Sequence, residues 1–288
     1  MISDPWVWAA VLARTALYAG ALVATGMVVM RLVFSGLLGG LDAPLRRRAG
    51  IFAALGILAA LGAFSLRGAA LTGDASGLTD PEMLGVLWQT PVGDVLIWQV
   101  AGLAAVLLGS LIGGVGLWLA LAGGLAALWS FVLLGHVSDT GALALQVTLF
   151  LHLLAIAAWV GVLSPLAWLA GDAERRAQAA ELGHRFGVAA IGFIAVLVVA
   201  GLWMALRLVG SVGALLGTGY GLVLLAKLGC VALLLGLGAR NKVKHVPDLR
   251  AGHAGAGQAL RRTIRAEWAV FWVIFLVTAV LTSAVTPP

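Results

Sequence analysis

Long apolar runs alternate along this chain with short polar segments, most of them basic. An apolar run of about 20 residues without charge is long enough to cross a bilayer as a helix. Read for such runs, the pattern predicts eight helices, at 5–36, 49–70, 93–112, 114–135, 143–170, 184–207, 219–240 and 266–286. Two carry an internal cation, Arg14 and Lys227, and the last opens on Glu267. The expected fold is all-α: a polytopic membrane bundle forming one transmembrane domain over residues 1–288, with little chain left for a soluble one.

The division between the third and fourth helices rests on length. No charge occurs between Val95 and Leu134, and one continuous helix over that stretch would be about 60 Å long. That is roughly twice the hydrocarbon thickness, so the run must fold back. The cluster Gly109-Ser-Leu-Ile-Gly-Gly-Val-Gly116 is where a tight hairpin is expected.

Loop charges support the count. One side collects Arg31, Arg46, Arg47, Arg48, Arg175, Arg176, Arg185, Arg240, Lys242, Lys244, Arg250, Arg261, Arg262 and Arg265, which is fourteen of the eighteen basic residues. The other side has Arg67 and Arg207 with Asp4, Asp74, Asp80, Glu82, Asp94 and Asp139. Basic residues collect in cytoplasmic loops, so both termini are expected on the periplasmic side. Merging the third and fourth helices would put every later loop on the opposite side and destroy this asymmetry.

Composition narrows the class. Hydrophobic residues make up 62% and charged residues 10% of the 288, against about 25% charged in soluble domains. A soluble enzyme, a disordered chain and a nucleic-acid-binding domain are thereby excluded, and the net charge of +6 reports orientation rather than a polyanionic partner. The single cysteine, Cys230, excludes an internal disulfide or a CxxC motif. No signal peptide is expected, since Met1 to Asp4 lack a basic start and the apolar run from Pro5 to Phe34 is too long. Tryptophans near helix ends, such as Trp6, Trp88 and Trp203, suit the interfacial aromatic belt.

Candidate chemistry lies in the polar residues inside the spans, because an ionisable side chain in hydrocarbon needs a partner or a cavity. Counted from the same end of the bundle, His152 and Arg14 lie about 14 Å deep and Lys227 about 12 Å deep. His136 ends the fourth helix on that side, next to Asp139. Together they predict a polar cavity open toward the periplasm. Imidazole binds copper, zinc and haem iron, and thioether or thiolate selects copper(I). His136 and His152 flank one short loop and are the leading metal ligands, as a pair or as successive stations. Arg14 and Lys227 read as structural or gating ion pairs, and they would also suit an anionic ligand such as haem propionates. Glu267 reads as a partner for a nearby arginine or for the N-terminal dipole of the last helix. Weaker metal candidates are Asp139 beside His136, Met27 and Met30, which share a helix face, Met204 near the surface, and Cys230 one turn from Lys227. His184, His245 and His253 fall on the basic side, where exposed histidine is the default.

From Gly135-His136 onward the order of motifs resembles the copper-resistance D (CopD) family of bacterial inner-membrane proteins. The segments that carry the resemblance begin with Leu151-His152 through Trp159-Val-Gly161, Pro165 and His184-Arg-Phe-Gly187. They continue with Gly217-Thr-Gly-Tyr220 through Lys227, Ala239-Arg-Asn241, Pro247, Leu260-Arg-Arg262, Glu267 and the ending Leu281 to Pro287. It covers residues 135–288 in detail and the first half in hydropathy alone. It implies an eight-span, multi-pass inner-membrane protein that moves copper, beside a periplasmic copper-binding protein of the CopC type. It also implies an outer cavity holding His136, His152 and Trp159, lined by Tyr220 and Lys227, with Arg240 and Asn241 at its inner edge. The five methionines depart from methionine-rich members, which implies that a separate protein captures copper.

Three functions are compatible with these residues. The first is copper uptake or transfer, without enzymatic activity and, lacking a GxxxxGK[ST] motif, without ATP-driven pumping. The second is a haem b membrane redox protein ligated by His136 and His152, or by one of these and His184. The third is a copper-dependent assembly factor for a respiratory oxidase, docking a basic partner on loop 71–92 through Asp74, Asp80 and Glu82.

Overall fold

A run of apolar side chains in lipid must satisfy its backbone internally, and the helix is the local way to do so. The computed structural model describes residues 5–134, 143–286 and 288, and the apolar runs within them are helical. The spans are α1 (Pro5–Val33), α2 (Asp42–Thr72), α3 (Pro91–Ile112), α4 (Gly116–Trp129), α5 (Leu143–Gly171), α6 (Arg176–Val209), α7 (Gly219–Arg240) and α8 (Ala256–Ser283). Of the eight expected spans, seven are long and apolar enough to cross a membrane; α4 is a shorter apolar helix, Gly116–Val132 with the 3₁₀ turn that follows it. The chain is a polytopic membrane helical bundle, with no strand among the described residues.

Consecutive spans alternate in direction, so the bundle has two ends. The fourteen loop-side cations lie at the end where α1 finishes and α2 starts, here the basic end. The other, where α1 begins and α8 finishes, is the terminal end. Here Arg14 Nη1 donates to the Thr282 carbonyl across 2.8 Å.

Helix limits differ from the expected ones at the basic end. α2, α6 and α8 begin at Asp42, Arg176 and Ala256, seven to ten residues before their charge-free runs. A charge-free run marks the part of a helix in hydrocarbon, whereas backbone hydrogen bonding continues into the headgroups. At 31 residues, α2 is about 46 Å long and necessarily projects from the ~30 Å core.

The predicted α3–α4 hairpin forms at Gly113 and Gly114, with φ of +68° and +49°, conformations open to glycine at little cost. Arg46 closes it by donating from Nε to the Ser110 carbonyl at 2.7 Å and from Nη2 to that of Leu111 at 2.6 Å. These carbonyls lack partners within their own helix end.

α1 is the central helix and packs on α2, α4, α5 and α8. Its crossing with α5 is the tightest: a Cβ on Gly26 would stand 2.0 Å from the Ala157 carbonyl oxygen. α6 and α7 are the most lipid-exposed spans and hardly touch along their lengths. They are tied at the basic end, where the helix Val246–Arg250 that continues α7 packs on α6.

Candidate functional site

Between the spans, toward the terminal end, lies a cavity of about 640 Å³. Its walls are mostly apolar, and its charged and metal-binding groups come from five helices: Arg14 from α1, Arg67 from α2, His152 from α5, Met204 from α6 and Lys227 from α7. The depth count therefore brings Arg14, His152 and Lys227 into one chamber, with Trp159 and Tyr220 also in its lining. His136 and Asp139 lie outside the described residues.

His152 is set by α6. Its Nδ1 lies 3.3 Å from the Leu197 carbonyl oxygen. A carbonyl can only accept, so Nδ1 carries the proton and Nε2 keeps the lone pair, the arrangement that orients ligating imidazoles. A Cβ on Gly201 would stand 3.6 Å from His152 Cε1, so glycine leaves room beside the ring. Leu197, Gly201 and Met204 share one face of α6 at helical spacing. An imidazole and a thioether thus belong to the same wall, a donor set that suits copper.

Cations dominate the rest of the chamber. Arg14 and Arg67 lie within range of each other's charge, as do His152 and Lys227. Among the described residues, no acidic side chain lines the cavity and no ion pair involves Arg14, Arg67 or Lys227. Among the described residues neither Arg14 nor Lys227 has the expected carboxylate partner, and Arg14 spends a donor on the Thr282 carbonyl. Tyr18 and Thr282 share a 3.2 Å hydroxyl contact beside Arg14, which fixes that wall.

Trp159 forms the floor. It is 4% exposed, meets Phe271 edge-on at 6.1 Å, and fits because residue 238 is glycine, where a Cβ would lie 2.8 Å from its ring. Beneath it, Glu267 is 1% exposed. Trp159 Nε1 donates to Glu267 Oε2 at 2.9 Å, and Asn241 Nδ2 donates to Oε1. Glu267 pairs with no arginine among the described residues and is far from the helix start, so both expected roles are corrected. The last helix begins at Ala256, three turns earlier than the charge-free run indicates. Asn241 opens a π-helical turn, Asn241–His245, a distortion often found at functional sites.

The remaining candidates separate. Met27 and Met30 are buried in the core, 0% and 3% exposed, outside the cavity lining; they fill packed space near the basic end of α1. Cys230 is half-buried against the core and also outside that lining. His184 is exposed and thirteen residues before Leu197 on α6, about 20 Å along the axis, so it cannot share a ligand with His152. Asp74 and Asp80 cap the short helices Ala75–Leu78 and Pro81–Trp88, and the amide and hydroxyl of Ser76 hold the Asp74 carboxyl below the usual range. Arg67, Tyr18, Gln99 and Thr282 are cavity residues that the charge-run reading did not single out. Among the described residues no three His, Cys, Asp or Glu side chains gather as a metal site.

Comparison with known proteins decides the family. Residues 1–145 match the family described as Copper resistance protein D-like, N-terminal domain, which is half of the chain. Residues 180–281 match Copper resistance protein D. The chain belongs to the copper resistance protein D family. Both halves carry the match, so the likeness extends beyond the C-terminal segments to the first half. The copper transport protein CutJ of Bacillus subtilis (strain 168) is 32% identical over 142 residues, covering 48% of this chain and 25% of that protein. The matched segment spans a quarter of that relative's length. No solved structure matches.

Proposed function

We propose that this chain takes copper from the periplasmic side of the bacterial inner membrane and passes it inward through the cavity, without enzymatic turnover. The observation that carries this reading is His152: an imidazole inside the membrane, lining a chamber, with Nδ1 engaged by the Leu197 carbonyl and Nε2 without a hydrogen-bond partner among the described residues. Met204 in the same lining adds a soft donor, and His136 with Asp139 is the entry station just before α5. Membership of the family and likeness to a protein named for copper transport support copper as the cargo. The basic end is cytoplasmic in this reading, which directs the chamber toward the periplasm and toward a CopC-type donor.

Copper(I) titration of purified protein against a chelator of known affinity tests the proposal. His152→Ala is expected to weaken binding at least tenfold while Met27→Leu, in the packed core, leaves it unchanged. Equal affinity in wild type and His152→Ala would remove the central ligand. The same preparation is expected to show no Soret absorption; a Soret band lost in His152→Ala would instead favour haem.

A further inference from the structure

The cavity is poorly matched to a metal ion alone. It has room for a drug-sized molecule, its walls are largely apolar, and its cations have no carboxylate opposite them among the described residues. Arg14, Arg67 and Lys227 come from three different helices, so the charge is a property of the chamber rather than of one segment. Its side wall is also incomplete. α6 and α7 hardly touch, and the lining residues Val198, Leu202 and Leu228 are at the same time 44%, 60% and 44% exposed on the lipid-facing surface. A cleft that faces acyl chains therefore leads to three half-buried cations.

We infer that the cavity binds one anionic phospholipid, which enters sideways between α6 and α7. Its phosphate lies among Arg14, Arg67 and Lys227, and an acyl chain lies in the cleft against Val198, Leu202 and Leu228. Charge complementarity selects the ligand: in a low-dielectric chamber unbalanced cations favour an anion strongly, and apolar walls favour one with a hydrocarbon body. Arginine offers the planar donor fork suited to phosphate and lysine a point charge. The lipid's negative charge would also offset the repulsion that a copper cation meets there, so this inference rests in part on the proposed transport function but binds independently of copper.

Native mass spectrometry of the full chain, delipidated and titrated with phosphatidylglycerol, phosphatidylcholine or sn-glycerol 3-phosphate, tests it. One tightly held phosphatidylglycerol per chain is expected, at least tenfold tighter than phosphatidylcholine. It should weaken at least tenfold in Arg14→Gln/Arg67→Gln and in Lys227→Met, the second variant guarding against misfolding of the first. His152→Ala should retain the lipid, which separates this result from the copper test, and Arg261→Gln/Arg262→Gln at the basic end should retain it too. The inference is overturned by equal affinity for the two lipids, by retention in the charge variants, or by full displacement with glycerol phosphate, which would mark a site for small anions.

Discussion

Glu267 is buried with two neutral donors, Trp159 Nε1 and Asn241 Nδ2, so its removal strands both. Each orphaned buried donor costs about 1–3 kcal/mol. Glu267→Leu is accordingly expected to lower the unfolding free energy by roughly 2–6 kcal/mol in a fixed detergent. Glu267→Gln should lose far less, because Asn241 Oδ1 has no partner among the described residues and a turned Asn241 amide can receive the new N–H. Equal losses in denaturant unfolding would mean that the negative charge, rather than hydrogen bonding, holds the floor. Residues of this kind were unevenly legible. Arg14, His152 and Lys227 could be placed by counting helix rise, since each stands alone in an apolar run. Arg67 could not: it lies five residues from the end of α2 and reads as a loop-side charge, although a helix end can fold such a side chain inward. Gln99, in the middle of an uncharged run, was a visible signal that a search restricted to charges passes over.

Between helices, contact depends on missing side chains. At the α1–α5 crossing, a Cβ on Gly161 would come 2.3 Å from the Gly26 carbonyl carbon, and one on Gly26 would meet Ala157 backbone. Backbone cannot yield as a flexible side chain does, and lipid-embedded helices rely on such close approach. Gly26→Ala is therefore expected to destabilise by about 1–3 kcal/mol, and adding Gly161→Ala to cost less than a second full increment, because the helices have already separated. Thermal unfolding of the single and double variants checks this; strict additivity would show that the two glycines act at independent contacts. Seven long apolar helices are legible in the apolar runs, and the α3–α4 turn is legible in its glycine cluster. Helix starts at the basic end were not, because charge ends the hydrocarbon segment without ending the helix, and that shift misplaced Glu267.

For the whole molecule, the direction of any transport depends on which end of the bundle faces the cytoplasm. Fourteen of eighteen basic residues lie at one end, and the bias of Lys and Arg near span ends sets orientation during insertion. The cavity approaches the opposite end, where Arg14 is joined to Thr282. If the bias operates here, a site at the terminal end meets the periplasm and a site at the basic end meets the cytoplasm. Both can be labelled, since Ala75, between α2 and α3, and Ala251, between α7 and α8, are exposed. On a Cys230→Ser background, Ala75→Cys is expected to react with a membrane-impermeant maleimide in cells whose outer membrane alone is permeable. Ala251→Cys should react only after the inner membrane is opened. The reverse pattern would turn the cavity toward the cytoplasm and make His152 an acceptor on the export side, so one labelling experiment decides between uptake and efflux as the reading of the same geometry.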